Sequence, residues 1–183
     1  AGIDDLLGLV VRAFLEKGDS VVTSLGSYPT FTYHAVGYGG ELHFVPYKNG
    51  FNDLQALSDE AAQTQAKLVF LANPDNPAGT YYSGREIQKF LDILPARSML
   101  ILDEAYIDFA PEDAILTIGL DDPRVIRMRT FSKAHGLAGA RIGYAIAAAK
   151  IVGAFEKIRL HFGVNRVAQA GALASLQDLE FIK

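Results

Sequence analysis

The chain has 183 residues, of which half are hydrophobic and about a fifth are charged. This length and composition are typical of a globular domain with its own core. The sequence contains no cysteine, which excludes disulfide bonds and thiolate metal sites. A formal net charge of −4, with basic residues scattered singly, argues against nucleic acid as the main partner.

Nothing in the sequence points to a membrane or a secretory route. No apolar run approaches the roughly 20 residues that a membrane-spanning helix needs. The first residues show no basic start followed by an apolar stretch, so we expect no signal peptide. Because the absence of cysteine also fits a reducing compartment, we expect a cytoplasmic protein.

Segments with helical spacing alternate with short apolar runs along the chain. In chain order, the predicted elements are a helix at 6–14, strands at 21–22 and 42–45, a helix at 54–65, a strand at 67–71, a helix at 83–94, strands at 99–102, 125–128 and 142–147, and helices at 150–160 and 166–176. Strands separated by helices favour a mainly parallel sheet covered on both faces. The sequence therefore predicts a three-layer α/β/α fold without an internal repeat or a domain linker.

Three polar clusters follow predicted strands, where ligands bind in parallel sheets. They are Asn-Pro-Asp-Asn-Pro-Ala-Gly at 73–79, Asp-Glu-Ala-Tyr at 103–106, and a glycine-rich segment at 130–141 that contains Ser-Lys. Each cluster alone has an ordinary structural explanation. A proline-asparagine loop is usually a turn, an aspartate at a strand end often caps a helix, and most lysines are solvated surface residues.

The order and spacing of the three clusters are more informative. Asn76 precedes Asp103 by 27 residues, Asp103 precedes Lys133 by 30, and Lys133 precedes Arg141 by eight. With the phrases Asp-Glu-Ala-Tyr-Ile-Asp-Phe-Ala and Arg-Thr-Phe-Ser-Lys-Ala-His-Gly-Leu-Ala-Gly-Ala-Arg-Ile-Gly-Tyr, this pattern resembles the aspartate-aminotransferase-like superfamily of fold-type I pyridoxal-phosphate (PLP) enzymes. Within it, the sequence is most similar to the histidinol-phosphate aminotransferase family. The resemblance covers essentially the whole chain.

The resemblance implies pyridoxal 5′-phosphate as cofactor and assigns roles that suit the residue types. Lys133 is the expected attachment point, because a lysine amine forms a Schiff base with an aldehyde. Asp103 is expected to pair with the pyridine nitrogen and keep it protonated, so that the ring acts as an electron sink. Tyr106 and Asn76 are expected to donate hydrogen bonds to the phenolic oxygen of the ring.

The resemblance also implies a phosphate subsite. Arg141 is expected to bind the phosphate as a bidentate donor, with hydroxyls from Thr130 and Ser132. The turn Gly2-Ile3-Asp4 aligns with a helix start whose backbone N–H groups meet the phosphate. The sequence offers no physical account of the negative charge of Asp4 beside an anion.

One aromatic residue and three histidines have open roles. Phe31 matches the aromatic residue that stacks on the pyridine ring, although an equally good alternative is that it packs in the core. His34, His135 and His161 stand where relatives commonly have other residues. A single histidine is more often packed or solvated than catalytic, so we assign none of them a role.

As a whole, the resemblance implies transamination of histidinol phosphate with 2-oxoglutarate by a cytoplasmic homodimer. It places 1–183 in the PLP-binding large domain, with the family's N-terminal arm and C-terminal small domain outside these residues. Alternatives on the same scaffold are an aromatic amino-acid aminotransferase and a phosphothreonine-type decarboxylase. From another class, the alternative is a non-catalytic sensing module of a transcription regulator. A dinucleotide-binding domain is disfavoured because no G-x-G-x-x-G follows the first strand.

Overall fold

The protein is an α/β domain, and its computed structural model describes residues 2–116 and 122–182. The helices are α1 (Ile3–Phe14), α2 (Thr30–Gly37), α3 (Leu54–Gln63), α4 (Gly84–Ile93), α5 (Ala149–Glu156), α6 (Arg166–Gln177) and α7 (Leu179–Ile182). The strands are β1 (Ser20–Ser24), β2 (Glu41–Val45), β3 (Leu68–Ala72), β4 (Met99–Asp103), β5 (Val125–Thr130) and β6 (Gly143–Ala147).

The described strands form one sheet in the order β2-β1-β3-β4-β5-β6. Neighbouring strands are parallel from β2 to β5, and β6 alone runs antiparallel, beside β5. The predicted mainly parallel sheet is therefore confirmed. Every predicted helix and strand is present, with ends that differ by a few residues.

Both faces of the sheet are covered, because alternate residues of each buried strand point to opposite sides. On one side, Ile101 and Met128 pack in a core that includes α1, α2 and α5. On the other side, Leu100 and Leu102 pack in a core that includes α3 and α4. These two cores give the three layers that the sequence predicts.

The start of α4 is predictable from the sequence because the residues that cap the helix are close together in the chain. Ser83 caps the helix: its hydroxyl accepts from the Glu86 N–H at 3.3 Å, and the Glu86 carboxylate accepts from the Ser83 N–H at 2.8 Å. This is a capping box, the motif that a serine followed three residues later by a glutamate indicates in the sequence.

Helix α2 is the main element that the sequence reading missed. It begins after Pro29 without a side-chain cap, and only Phe31 and Ala35 are buried in it. A single apolar pair at i and i+4 is too little to distinguish a short helix from a turn. Its exposed face instead carries Tyr33 and Val36, which obscure the periodicity.

The described residues contain no helix with the length and apolar character that crossing a membrane requires.

Gly84 and Gly153 allow a matched test of the packing. A Cβ atom at Gly84 would lie 2.2 Å from the Ile115 carbonyl oxygen, whereas nothing lies within 4 Å of one at Gly153. We predict that Gly84→Ala lowers the free energy of unfolding by about 2 kcal/mol, because backbone must move apart. Gly153→Ala, inside α5, should raise it by about 0.5–1 kcal/mol. Urea unfolding of both variants measures this; equal stabilities would contradict the contact between α4 and Ile115.

Candidate active site

A pocket lies where β3, β4 and β5 end and α1 begins. The last residue of each strand lines it: Ala72, Asp103 and Thr130. Parallel strands end at one edge of a sheet, which is why three clusters far apart in sequence meet here. The register pairs Ala72 with Asp103 directly across β3 and β4.

Most of the predicted site residues face this pocket. Those that line it are Ile3, Asp4, Asn76, Asp103, Tyr106, Thr130, Ser132, Lys133 and Arg141. Gly2 contributes in a different way. Its φ of +83° lies in the region that favours glycine, and a Cβ atom there would come within 2.9 Å of Arg141 Nη2. The absence of a side chain at Gly2 is therefore what lets Arg141 approach the start of α1.

Asp103 is a buried carboxyl group with little local compensation. Its side chain is 4% exposed, and its Oδ1 accepts one hydrogen bond, from the Ala105 N–H at 2.9 Å. Burial, with smaller contributions from Asp4 and Glu104, raises the pKa of Asp103 to about 7, against the opposing effects of the Ala105 N–H and Lys133. A carboxylate in this position gains strongly from a cationic partner, as a protonated pyridine nitrogen would provide.

Lys133 lies in the turn that follows β5. The turn is closed by the Gly136 N–H, which donates to the Lys133 carbonyl at 2.9 Å. The Lys133 Nζ lies 5.1 Å from the centroid of the Tyr106 ring, a cation–π distance. Within the described part of the chain, no carboxylate forms an ion pair with this amine. An exposed amine held over an aromatic ring at a pocket mouth is accessible to an aldehyde.

Arg141 and the start of α1 form a subsite for an anion. Arg141 Nη1 donates to the Ala138 carbonyl at 3.0 Å and to Ser132 Oγ at 3.4 Å, which holds the guanidinium beside the pocket. Helix α1 begins at Ile3 beside Arg141, and the backbone N–H groups at a helix start are donors that suit an anion. Cationic and backbone donors that converge in this way suit a phosphate group.

The structure also explains Asp4. Its carboxylate lies 3.5 Å from Arg141 Nη2 and accepts from the Tyr28 hydroxyl at 3.3 Å. The Asp4 carboxylate therefore points toward a cation and a hydrogen-bond donor, and its side chain is about half exposed to solvent. Both features weaken its repulsion of an anion bound at the helix N–H groups.

The expectation that Phe31 stacks on a bound ring requires correction. Phe31 is fully buried in α2 and stacks on Phe70, with ring centroids 4.9 Å apart. Because the helix starts at Thr30, Phe31 and Ala35 turn together into the core. The aromatic residue that lines the pocket from this segment is Tyr28, which the sequence reading did not select.

His135 is packed beside the Lys133 turn and does not line the pocket. Its ring lies 4.7 Å from that of Phe131, its Nδ1 is 2.6 Å from Ser175 Oγ, and its Nε2 is 3.7 Å from an Asp108 oxygen. It therefore joins the Lys133 turn to α6 and to the segment after Tyr106. No sequence signal identified this link, because both partners are distant along the chain.

His34 and His161, the other two histidines with open roles, do not line the pocket either. His34 Nε2 lies 3.0 Å from the Asp4 carbonyl, which can only accept, so this nitrogen donates and steadies the first turn of α1. His161 is exposed. Among the described residues, no three or more potential ligand side chains cluster as a metal site would require.

Comparison with known proteins gives a consistent picture. The model of the family described as aminotransferase class I and II matches 1–183. Histidinol-phosphate aminotransferase 1 of Bacillus cereus is 39% identical over 186 residues, which cover all of this chain and 50% of that protein. The histidinol-phosphate aminotransferase of Staphylococcus haemolyticus is 37% identical and is covered to 53%.

A solved structure is also similar. It is the histidinol-phosphate aminotransferase of Sinorhizobium meliloti in complex with pyridoxal-5′-phosphate, which matches 99% of this chain with a TM-score of 0.96 and 50% identity. The match covers 50% of that chain. The present chain thus spans about half the length of the curated relatives it matches.

The buried Asp103 predicts a pH dependence of stability in the cofactor-free protein. The folded state keeps the Asp103 proton up to about pH 7, whereas the ordinary pKa is 3.8. The folded state therefore binds more protons between these values, and stability falls as pH rises through this window. The difference corresponds to about 4 kcal/mol.

We predict that Asp103→Asn removes most of this fall, so that the variant is more stable than the unsubstituted protein at pH 8 and similar to it at pH 4. Denaturant unfolding from pH 4 to 8 measures the effect, with Asp113→Asn, an exposed site, as the control. A parallel pH dependence in Asp103→Asn and the unsubstituted protein would contradict the burial of Asp103.

Proposed function

Because this chain belongs to the aminotransferase class I and II family, we propose that its pocket binds pyridoxal 5′-phosphate and that the protein transfers amino groups. The observation that carries the proposal is the meeting of three groups in one pocket. These are the Lys133 amine, the buried Asp103 carboxyl and the Arg141 guanidinium beside the start of α1. Each suits a different part of the cofactor.

We assign each of these residues to one part of the cofactor. Lys133 is the group that attaches the aldehyde carbon, and Arg141 with the first N–H groups of α1 binds the phosphate. Asp103 would pair with the ring nitrogen, and Tyr106 and Asn76 would donate to the phenolic oxygen. On this basis we propose that 1–183 form the cofactor-binding large domain.

When bound, PLP supplies an electron sink for the pair of electrons left when the substrate α-carbon loses its proton. The chain supplies the proton transfer. With PLP bound, the Lys133 amine would act as the general base that takes the proton from the substrate α-carbon, and then as the general acid that gives it back. The centroid of the Tyr106 ring lies 5.1 Å from Nζ, so the ring offers the protonated amine a cation–π contact.

The ionisation of Asp103 would depend on whether the cofactor is bound. Without a cation, burial holds its pKa at about 7. A protonated ring nitrogen at hydrogen-bond distance would favour the carboxylate, and the carboxylate would in turn keep that nitrogen protonated. Each group therefore stabilises the charged form of the other.

For the substrates, we propose histidinol phosphate as amino donor and 2-oxoglutarate as acceptor. The support is the similarity to proteins named histidinol-phosphate aminotransferase, at 39% identity in sequence and 50% in a solved structure. We further propose a cytoplasmic homodimer. Exposed apolar side chains at Leu160, Phe162 and Val167 are the kind of surface that another protein surface covers.

The test of this function is an assay of the full-length protein loaded with PLP. Formation of glutamate from 2-oxoglutarate is measured with histidinol phosphate and, separately, with phenylalanine as the donor. We expect the higher kcat/KM with histidinol phosphate. A higher value with phenylalanine would favour an aromatic aminotransferase, and cofactor binding without turnover would favour a sensing module.

Lys133 is predicted to carry the cofactor covalently. Borohydride reduction of the PLP-loaded protein should fix the cofactor on the peptide that contains Lys133, because reduction makes the linkage permanent. Mass spectrometry of the digest locates the label, and Lys133→Ala is the control that should lose it. Label on another lysine, such as Lys67 or Lys150, would overturn the assignment.

Asp103 is predicted to be essential for turnover but not for all cofactor binding. Asp103→Ala should retain PLP through Lys133 and the phosphate contacts, while kcat falls by a factor of about 10³, roughly 4 kcal/mol, because the ring nitrogen loses its partner. Steady-state kinetics and visible absorbance measure the two effects. Turnover at the unsubstituted rate would show that Asp103 is structural.

A further inference from the structure

A buried carboxylate lies next to Asn76 but does not contact the cofactor pocket. Asp75 is 4% exposed. Its carboxylate accepts from the Tyr47 hydroxyl at 3.1 and 3.0 Å, from the Asn52 amide at 3.1 Å and from the Ala78 N–H at 3.0 Å. We refer to Asp75 and these three donors as the Asp75 network. It is a polar cluster that the proposed chemistry does not use.

The Asp75 network fastens the 73–79 loop to a second segment of the chain. Tyr47 and Asn52 flank a tight turn after β2, closed by hydrogen bonds between Lys48 and Phe51. The Thr80 hydroxyl adds a contact to the Gly50 carbonyl at 3.1 Å. The loop that carries Asn76 is therefore held against a turn about 25 residues earlier in the chain, which no local signal would predict.

Asn76 is held from both sides by this arrangement. Ahead of it, the Asp75 N–H donates to the Thr80 carbonyl at 2.8 Å. Behind it, Ala78 is tied to the Asp75 carboxylate and Gly79 to the Asp75 carbonyl. Asn76 lies between these anchors and reaches the pocket, so its position depends directly on Asp75.

A carboxylate is the group that this network requires. It has two oxygens that accept from three donors, while an amide offers one oxygen and an NH2 group. The Tyr47 hydroxyl stays protonated and donating, because burial and then Asp75 raise the pKa of Tyr47 to about 12. Replacement by asparagine would turn the NH2 group against the Asn52 amide or the Ala78 N–H, leaving a buried donor unsatisfied.

We propose that Asp75 is a positioning residue for the amino-transfer site: it acts through Asn76, by holding the Asn76 amide where it can donate to the phenolic oxygen of the cofactor ring. This inference rests on the proposed function. It assigns to the carboxylate no contact with cofactor or substrate. Its effect should therefore disappear when the Asn76 amide is removed.

The test is a double-mutant cycle in the full-length protein loaded with PLP. The measurement is the pH midpoint of the visible absorbance change of the bound cofactor, a property that a donor to the ring oxygen lowers. Asn76→Ala should raise the midpoint. Asp75→Asn should raise it by roughly half a pH unit, and should add no further rise in the Asn76→Ala background.

Two further variants keep the test decisive. Tyr47→Phe removes one donor but leaves the carboxylate, so it should produce a smaller rise of the same sign and carries the test if Asp75→Asn does not fold. Ser83→Ala removes the cap of α4 outside the network and should leave the midpoint unchanged. That control separates positioning of Asn76 from general loss of stability.

The outcomes are distinct. A midpoint unchanged by both Asp75→Asn and Tyr47→Phe, or an Asp75→Asn rise that persists in full without the Asn76 amide, overturns the inference alone. A full-length unsubstituted protein that shows no visible band with PLP overturns the proposed function and this inference together. A rise that vanishes in the Asn76→Ala background establishes that Asp75 acts through Asn76.

Discussion

The parallel register of β3, β4 and β5 is the constraint on which the site depends. Hydrogen bonds pair Ala72 with Asp103 and Asp103 with Met128, so these strands end at one edge of the sheet. Buried apolar residues on both faces hold that register, because a slip by one residue would turn each core side chain to the wrong side. The clusters around Asn76, Asp103 and Lys133 meet because the strands before them cannot slide.

Two neighbouring acidic residues at the end of β4 are both buried, but only one of them has cationic partners within the chain. Glu104 is 1% exposed and is compensated within the chain, by Arg127 Nε at 3.0 Å and Arg129 Nε at 2.8 Å. Asp103, the residue before it, forms no ion pair among the described residues, and burial raises its pKa to about 7. In the part of the chain that the structure describes, two arginines pair with Glu104 and none pairs with Asp103. The Asp103 carboxylate would therefore gain from a positive charge that a ligand supplies. That asymmetry is the physical reason to regard Asp103 as part of a binding site rather than of the core.

Much of the fold and the pocket could be predicted because the signals are local. The apolar runs of the strands, the capping box at Ser83 and the polar clusters after the strand ends are each legible within a few residues. The predictions that went wrong or were missing depend on contacts between distant residues. The sequence could not decide whether Phe31 faces the pocket or the core, since that depends on where α2 begins and on the stacking of Phe31 against Phe70. The partners of His135, at Asp108 and Ser175, were invisible for the same reason.

The residues that the sequence predicted and those that it did not are neighbours, because each of two pocket residues has an anchoring residue close to it in the chain. Asn76 is preceded by Asp75, which is bound to Tyr47 and Asn52. Lys133 is followed two residues later by His135, which is bound to α6. In both segments a side chain that faces the pocket stands beside one that is buried in a polar network facing away from it.

Ordering a flexible loop when a ligand binds costs conformational entropy, and an anchoring hydrogen bond lowers that cost by ordering the loop before the ligand arrives. Chemistry selects the residue types that face the pocket, so those are recognisable by pattern. The anchors need only satisfy whichever distant partners the fold brings near, so many residue types would serve and no pattern marks them. A search for functional residues in this fold should therefore extend to the buried polar neighbours of each recognised site residue.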